Sequence, residues 1–268
     1  MKAVIMAGGL GERLKPFTKI IPKSLLPVGN KSILEIQIMN LKSHGATDIF
    51  LALGYKHELF EAYFGDGSKW GVNIHYSTEK KPLGTAGPLT LLRAYLDEPF
   101  LVMNGDILTN LNFRDLSRAH HSTRAAVTVV TKVITLPLRY GVIKHQNGSI
   151  SDIEEKPSLS AEINAGIYFM NSEVLTLMPD DTPVSMDTLL REMICKGYRV
   201  SRFLLEAYWL DIGQMGDYER ATDFITEDED GRIEWREGCQ EYGERTGARI
   251  EERGSGARER GSKSEVRG

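Results

Sequence analysis

The sequence predicts an α/β protein whose mixed, mostly parallel sheet is flanked by helices. Two observations support this prediction. Short apolar runs alternate with helical patterns along the first half of the chain, as they do in βαβ units. Glycines and single acidic residues directly follow several of these runs, where an open α/β sheet places its ligands.

The first half is predicted to contain four strands and three helices. The strands cover residues 2–7, 48–53, 72–76 and 99–104. Ser32 is suited to cap a helix that ends at Gly45, and a second helix covers residues 57–64. Residues 85–96 form the third helical pattern, and Pro88 indicates that this helix begins near there.

The second half is predicted to contain more strands and fewer helices. Strands cover residues 125–133, 140–145, 149–154, 162–170 and 199–205, with a hairpin turn at Asn147-Gly148. Helices cover residues 186–196 and 214–225, and Cys195 in the first of them is expected to be a buried thiol. Residues 227–268 include 21 charged residues and 8 glycines. Such a segment buries too little apolar surface to offset its ordering entropy, so we expect a disordered charged tail. A functionless extension is favoured over an interaction segment.

Composition excludes several classes of protein. The net charge of −4 argues against a nucleic-acid binder. No apolar run reaches the ~18 residues of a membrane helix, and the N-terminus lacks the pattern of a signal peptide, so no membrane partner is expected. The two cysteines form neither a disulfide framework nor a zinc motif, which fits a reducing cytoplasm.

The segment that follows the first strand is the most informative part of the chain. Three glycines, Gly8, Gly9 and Gly11, are followed by Arg13 and then by Lys23. Glycines at a strand end let backbone N–H groups approach a phosphate, and the two cations add the charge that a polyphosphate needs. The sequence therefore predicts a nucleotide site.

The spacing of these residues disfavours two commoner nucleotide motifs. Leu14 stands where the dinucleotide fingerprint needs its third glycine, and the strand at residues 48–53 ends in Gly54-Tyr55 rather than in an acid. An NAD-dependent oxidoreductase is therefore a disfavoured alternative. The P-loop string does not occur in the chain.

The string Gly8-Gly9-Leu10-Gly11-Glu12-Arg13, with Pro16-Phe17-Thr18 and Pro22-Lys23, resembles the opening motif of the sugar-1-phosphate nucleotidyltransferases, or NDP-sugar pyrophosphorylases. The resemblance covers about residues 1–224 and is greatest to the mannose-1-phosphate guanylyltransferase-like members. It implies the Rossmann-like nucleotide-diphospho-sugar transferase fold. It also implies one domain at residues 1–226, with a nucleotide half at about 1–110 and a sugar half at about 111–226.

Two acids stand just beyond apolar runs. Asp106 follows Gly105, and Asp211 lies in Trp209-Leu210-Asp211-Ile212-Gly213. Carboxylates in such places suit Mg²⁺, although either acid alone could be a turn or cap residue. Both segments resemble the family's metal-binding positions, and this resemblance implies that Asp106 and Asp211 hold one Mg²⁺.

The resemblance also assigns residues to the sugar and the base. Glu155 and Lys156 match a Glu-Lys-Pro element in which the glutamate accepts sugar hydroxyls and the lysine binds the sugar's phosphate. Gly141 and Asn164 match further sugar-side segments, with a hairpin entry and an ordinary strand as the alternatives. Glu79 can accept the two N–H donors of guanine's Watson–Crick edge, which favours guanine. The remaining implied nucleotide-binding residues are Ala7, Gly8, Gly9, Gly11 and Gly84.

The predicted reaction joins an NTP and a sugar 1-phosphate into an NDP-sugar and pyrophosphate. GTP and mannose 1-phosphate are the favoured pair, and the expected catalytic residues are Arg13, Lys23, Asp106 and Asp211. UTP as donor, and glucose, glucosamine or heptose 1-phosphate as acceptor, stay open. So do a catalytically silent paralogue that binds nucleotide sugar, and a homo-oligomeric state.

Overall fold

A computed structural model describes residues 1–228 and 233–235 of the chain. Five α-helices lie within them: α1 (Ile33–Ser43), α2 (His57–Phe64), α3 (Phe113–Thr123), α4 (Met186–Cys195) and α5 (Met215–Phe224). None of these five has the length and hydropathy of a membrane span. The strands of the same residues are β1 (Lys2–Met6), β2 (Pro27–Val28), β3 (Lys31–Ser32), β4 (Asp48–Leu53), β5 (Asn73–Thr78), β6 (Phe100–Asn104), β7 (Ile107–Thr109), β8 (Val127–Pro137), β9 (Val142–Gln146), β10 (Ser149–Glu154), β11 (Ser158–Met170), β12 (Val200–Leu204), β13 (Trp209–Asp211), β14 (Ile225–Glu227) and β15 (Ile233–Trp235).

Seven strands form the main sheet, in the order β12-β8-β11-β6-β1-β4-β5. β1 runs parallel to both of its neighbours, and the pairs β4–β5 and β8–β12 are also parallel. β11 runs antiparallel to β6. The prediction of a mixed, mostly parallel sheet flanked by helices is therefore confirmed.

Both faces of the sheet are covered. Ala3, Val4 and Ile5 of β1 point alternately to opposite faces, yet all three are 0% exposed. An apolar cluster outside the main sheet joins the segment after β1 to α1, β13 and α5. Its residues include Leu14 and Leu210. The elements that carry Arg13, Lys23 and Asp211 therefore share one core.

Several predicted elements have the bounds that the sequence indicated. β4 and α2 begin and end where they were predicted. The Ser32 side chain caps α1 by accepting the Glu35 N–H at 3.1 Å. Asn147 and Gly148 have φ values of 50° and 83°, the positive angles that a type I′ hairpin turn requires.

Other expectations were wrong. The helix predicted at residues 85–96 is a short 3₁₀ helix, Gly87–Leu92. Cys195 is exposed, because it lies on the side of α4 opposite the buried residues Leu189 and Met193. α3, β7 and β13 were not predicted at all, and β13 pairs with β7 rather than with the main sheet.

The predicted tail contains one short ordered stretch. Ile233–Trp235 pairs antiparallel with Ile225–Glu227, and the Trp235 ring lies 5.3 Å from that of Tyr208. Strand pairing and this aromatic contact involve these three residues, and the disordered tail stays a prediction. Residues 229–232 and 236–268 lie outside the described part of the chain.

The described residues group into two units. The larger unit contains residues 1–134 and the described residues from 159 onwards, and the smaller contains residues 135–158. The smaller unit is the β9–β10 hairpin with its flanking segments. This grouping differs from the predicted boundary near residue 110, so the nucleotide half and the sugar half remain a functional proposal.

α3 contributes a buried histidine to the core. His120 is 2% exposed, and its two ring nitrogens lie 2.9 Å from Thr128 Oγ1 and 2.9 Å from Asn171 Oδ1. The amide oxygen of Asn171 can only accept, so Nε2 carries the proton and Thr128 donates to Nδ1. Burial lowers the pKa of His120 below its ordinary value, which favours this neutral ring.

The pH dependence of stability tests this arrangement. The unfolded chain binds a proton at this histidine near its ordinary pKa of ~6.5, whereas the folded chain does so only at lower pH. We therefore expect the free energy of unfolding to fall as the pH drops below 6.5. In urea unfolding at pH 7.5 and 5.5, His120→Gln should show a smaller fall than wild type. The exposed His145→Gln should show the wild-type fall, and an equal fall in both variants would contradict the account.

Candidate nucleotide and metal site

The glycine-rich loop and Asp106 lie at the same edge of the main sheet. β1 and β6 are parallel neighbours, with Met6 opposite Asn104 in the register. The loop from Gly8 to Gly11 follows β1, and Asp106 follows β6 after a single glycine. Both segments therefore occupy the carboxyl ends of adjacent parallel strands, where α/β sheets bind their ligands.

Gly11 fixes the shape of this loop. Its φ of 62° lies in the left-handed region, and a Cβ at this position would come 2.9 Å from Thr18 Cγ2 and 3.2 Å from Lys23 Cβ. Thr18 also donates a hydrogen bond from its Oγ1 to the Gly11 carbonyl oxygen at 2.8 Å. Glycine is therefore required for the loop to pack closely on the segment that carries Lys23.

The loop presents backbone N–H groups that the protein does not use. Nothing lies within 4 Å of a Cβ built on Gly9. Within the described residues, the N–H groups of Gly8, Gly9 and Gly11 donate to no protein acceptor. Ala7 differs, because its N–H donates to the Ala52 carbonyl oxygen at 2.8 Å. The three glycine amides can therefore bind phosphate oxygens, whereas the Ala7 amide belongs to the sheet.

Lys23 lies between two acids. Its Nζ is 2.7 Å from Asp106 Oδ2 and 3.9 Å from Asp211 Oδ1. β7 and β13 pair with Asp211 opposite Ile107, and the Ile212 N–H donates to the Asp106 carbonyl oxygen at 2.9 Å. This pairing brings together two acids that are far apart in the sequence.

Each acid has one carboxylate oxygen that the protein leaves unsatisfied. Oδ1 of Asp106 and Oδ1 of Asp211 are buried and accept no hydrogen bond from the residues that the structure describes. Burial raises the pKa of Asp211 to about 6, and repulsion from Asp106 adds to the rise. Lys23 and Arg13 oppose it. A bound cation would therefore relieve the repulsion between these two carboxylates.

The donor set fits Mg²⁺. Among residues 1–228 and 233–235, no cluster of three or more His, Cys, Asp or Glu could hold an ion by itself. Mg²⁺ is commonly held by one or two carboxylates, with waters and substrate phosphates completing its shell. Unsatisfied oxygens on Asp106 and Asp211, beside free backbone amides, offer that combination.

Arg13 reaches the loop that follows Asp211. Both terminal nitrogens of its guanidinium lie 3.4 Å from where a Cβ on Gly213 would be. Asp217 holds this loop, because its Oδ2 accepts the N–H of Gly213 at 3.1 Å and of Gln214 at 3.0 Å. Arg13 therefore adds a second positive charge near Asp211.

The family model described as "Nucleotidyl transferase" matches residues 2–228. The chain belongs to the nucleotidyl transferase family. Its relatives include the mannose-1-phosphate guanyltransferase of Yarrowia lipolytica, 38% identical over 230 residues, and that of Schizosaccharomyces pombe, 39% identical over 231 residues. Each alignment covers 83% of this chain and 63% of the relative, so the chain spans less than two thirds of the relatives' length. The solved structure of HddC from Yersinia pseudotuberculosis complexed with GMP-PN aligns with a TM-score of 0.66 at 26% identity, over 83% of this chain and 98% of that chain.

Glu79 lies against the glycine loop. Its Oε2 accepts the Leu83 N–H at 2.9 Å, and its Oε1 is 3.0 Å from the Cβ position of Gly8. One oxygen therefore shapes the turn at residues 79–83, and the other adjoins the loop. Gly84 has another reason to be glycine, because a Cβ at its φ of 79° would lie 2.6 Å from the Val184 carbonyl oxygen.

Three of the predicted sugar-side residues belong to the smaller unit. A Cβ on Gly141 would lie 3.1 Å from Glu155 Oε2, and Lys156 Nζ lies 3.5 Å from Glu155 Oε1. All three residues are exposed. The fold therefore brings Gly141, Glu155 and Lys156 into one group beside the hairpin.

Asn164 belongs to the larger unit. Its Nδ2 donates to Tyr168 Oη at 2.8 Å, and its Oδ1 accepts the Gly166 N–H at 2.9 Å. The side chain therefore shapes β11, and one amide hydrogen remains for a ligand.

The sequence analysis missed two residues that support this site. Gln37 is a buried polar residue within the apolar stripe of α1, and that contrast was its signal. Asp217 forms a capping box with Gln214, and the three-residue spacing between them was its signal. Both act on backbone groups, so neither belongs to a recognised ligand-binding motif.

Proposed function

We propose that this chain transfers a nucleotidyl group from an NTP to a hexose 1-phosphate, with GTP and mannose 1-phosphate as the preferred pair. The observation that carries the proposal is the grouping of Lys23, Asp106 and Asp211 next to a loop with free amides. The Yarrowia and Schizosaccharomyces relatives are mannose-1-phosphate guanyltransferases, and this supports the preferred pair.

In the proposed reaction, an oxygen of the sugar phosphate forms a bond to the α-phosphorus, and the bond to pyrophosphate breaks. A phosphate monoester has its second pKa near ~6, so it is mostly dianionic at neutral pH and needs no general base. The protein's task is to align two polyanions and to stabilise the charge on the leaving group.

The residues divide this task. The amides of Gly8, Gly9 and Gly11, together with Arg13, bind the β- and γ-phosphates. Lys23 leaves its ion pair with Asp106 to bind near the α-phosphate. In the smaller unit, Lys156 binds the sugar phosphate and Glu155 accepts sugar hydroxyls.

Asp106 and Asp211 hold Mg²⁺ in this proposal. Their unsatisfied oxygens and the raised pKa of Asp211 support the assignment. When bound, the ion would offset the negative charge of the phosphate groups that meet at the site.

In this proposal, Glu79 recognises the base by accepting its hydrogen bonds. Guanine offers two adjacent N–H donors on its Watson–Crick edge, and a carboxylate accepts both without a competing donor. The position of Glu79 beside Gly8 supports the role, since the nucleotide must lie along the same loop. UTP remains the alternative donor, because uracil also carries an N–H.

Pyrophosphate release from a matrix of NTPs and hexose 1-phosphates tests the function. We expect the highest kcat/KM for GTP with mannose 1-phosphate, above UTP and above glucose, glucosamine or heptose 1-phosphate. Glu79→Gln should lower the preference for GTP about tenfold, because one charged acceptor is replaced by an amide. Glu58→Gln, on an exposed part of α2, is the control and should leave the preference unchanged. Release with no pair at all would favour the catalytically silent paralogue.

A cytoplasmic location is part of the proposal. Cys195 is a free, exposed thiol, and no disulfide occurs within the described residues. Free thiols of this kind persist in reducing compartments.

A further inference from the structure

Gln37 is a polar residue buried among the apolar residues of α1. The neighbouring helix positions Ile33, Leu34, Ile36 and Ile38 are apolar and at most 1% exposed, and Gln37 is only 3% exposed. A primary amide is expensive to bury unless it is hydrogen-bonded, so its contacts must explain its presence.

The Gln37 amide donates hydrogen bonds to both ends of the turn that carries Asp106. Its Nε2 donates to the Asn104 carbonyl oxygen at 2.9 Å and to the Ile107 carbonyl oxygen at 2.6 Å. These are the residues on either side of Gly105 and Asp106. Both acceptors are carbonyl oxygens, so the amide nitrogen must face them, and both of its hydrogens are used.

The amide oxygen of Gln37 does not contribute a hydrogen bond within the described residues. This atom, Oε1, is buried. A leucine or methionine would fill a similar volume without a buried, unsatisfied oxygen. Packing alone therefore does not explain a glutamine at this position. The two hydrogen bonds that its Nε2 donates do explain it.

Two backbone hydrogen bonds and the Lys23 side chain, 2.7 Å from Asp106 Oδ2, also hold this turn. The Gly105 N–H donates to the Met6 carbonyl oxygen at 2.9 Å, and the Asp106 carbonyl oxygen accepts the Ile212 N–H at 2.9 Å. A Cβ on Gly105 would come 2.8 Å from Ser24 Oγ, so the turn packs closely on the segment that carries Lys23. Gln37 adds a hydrogen bond at each end of the turn, to the Asn104 and Ile107 carbonyl oxygens.

We propose that Gln37 is a positioning residue that fixes the Asp106 carboxylate at the metal site. The inference rests on the proposed function, in which Asp106 holds the ion. Loss of the amide leaves two carbonyl oxygens without their donor, and the turn relaxes. Displacement of a reacting group by about 1 Å lowers rates about a hundredfold in enzymes, and outer-shell changes lower metal affinity about ten- to a hundredfold.

The test compares four proteins in the full chain: wild type, Gln37→Leu, Asn40→Leu and Asp106→Asn. Asn40 is the matched control, because it lies one turn further along α1 and its Nδ2 donates to the Thr109 carbonyl oxygen at 2.8 Å, beyond the Asp106 turn. Mn²⁺ is titrated without nucleotide and followed by electron paramagnetic resonance. Thermal unfolding is measured on each protein, and Gln37→Met replaces Gln37→Leu if the latter does not fold.

Gln37→Leu is expected to weaken Mn²⁺ binding about tenfold, while Asn40→Leu stays within about twofold of wild type at a comparable loss of thermal stability. In turnover, Gln37→Leu should lower kcat with little change in KM for GTP. Wild-type Mn²⁺ affinity in folded Gln37→Leu, with Asp106→Asn defective, would overturn the inference alone. Wild-type Mn²⁺ affinity in Asp106→Asn would overturn the metal assignment, and the inference with it.

Discussion

Asp106→Asn is expected to lower the rate of pyrophosphate release at least a hundredfold while the chain stays folded. The substitution keeps the shape of the side chain but removes its charge, so it can neither balance Lys23 at 2.7 Å nor hold a divalent cation. Removal of one preorganised electrostatic contact in an active site typically lowers the rate by ~10² to 10³. The measurement is pyrophosphate release at saturating GTP and mannose 1-phosphate.

Asp211→Asn should show the same loss of activity with a distinct change in stability. The pKa of Asp211 is raised to about 6 by burial and by Asp106, so its ionised form is unfavourable in the folded chain. This penalty grows as the pH rises from about 4 to 6 and is complete above 6. In metal-free buffer at pH 8, we therefore expect Asp211→Asn to melt at a higher temperature than wild type.

Asp97→Asn is the control for both acids. Asp97 is an exposed partner of Lys2, away from the glycine loop, and its substitution should leave turnover unchanged. Wild-type turnover in Asp106→Asn or Asp211→Asn would contradict the metal assignment. A lower melting temperature for Asp211→Asn at pH 8 would contradict the electrostatic account of the pair.

Lys23→Met is expected to have two opposite effects. Turnover should fall about a hundredfold, because Lys23 supplies positive charge at the α-phosphate. Affinity for Mn²⁺ without nucleotide should rise, because the Lys23 ammonium lies against both acids, 2.7 Å from Asp106 Oδ2 and 3.9 Å from Asp211 Oδ1. A divalent ion must displace that ammonium to reach the same carboxylates, so its removal frees the site.

Lys15→Met is the control for Lys23. Lys15 is an exposed lysine in the same segment and pairs with Glu12 at 3.1 Å, so neither turnover nor Mn²⁺ affinity should change. The account fails if Lys23→Met binds Mn²⁺ more weakly than wild type, since Lys23 would then support the metal rather than compete with it.

Elements with a strong local pattern could be predicted from the sequence. β4 is a continuous apolar run after its first residue, Asp48, and α2 follows it with apolar residues at helical spacing. The Ser32 cap and the Asn147-Gly148 turn were predictable because each depends on a few neighbouring residues.

Elements that depend on distant contacts could not be predicted. β7 has three residues, and only its pairing with β13, about a hundred residues later, makes it a strand. The pairing of β7 with β13 decides these two strands, and single-sequence patterns do not record it. α3 differs, because Asn112 caps it and its buried residues Phe113, Leu116 and His120 lie at helical spacing, so a local signal was present and was missed.

The candidate site divides in the same way. Asp106 and the glycine loop follow the ends of β6 and β1, so sequence position indicated that they share one edge of the sheet. The ion pair of Lys23 with Asp106 and the two hydrogen bonds that Gln37 donates depend on side-chain directions. Nothing in the spacing of these residues records those directions.

Anomalous scattering from crystals grown with Mn²⁺ and GDP-mannose tests the central claim most directly. The account predicts one Mn²⁺ peak within coordination distance of both Asp106 and Asp211, with the diphosphate of GDP-mannose on the same ion. A peak bound elsewhere, with both aspartates free of metal while the nucleotide sugar is in place, would contradict it.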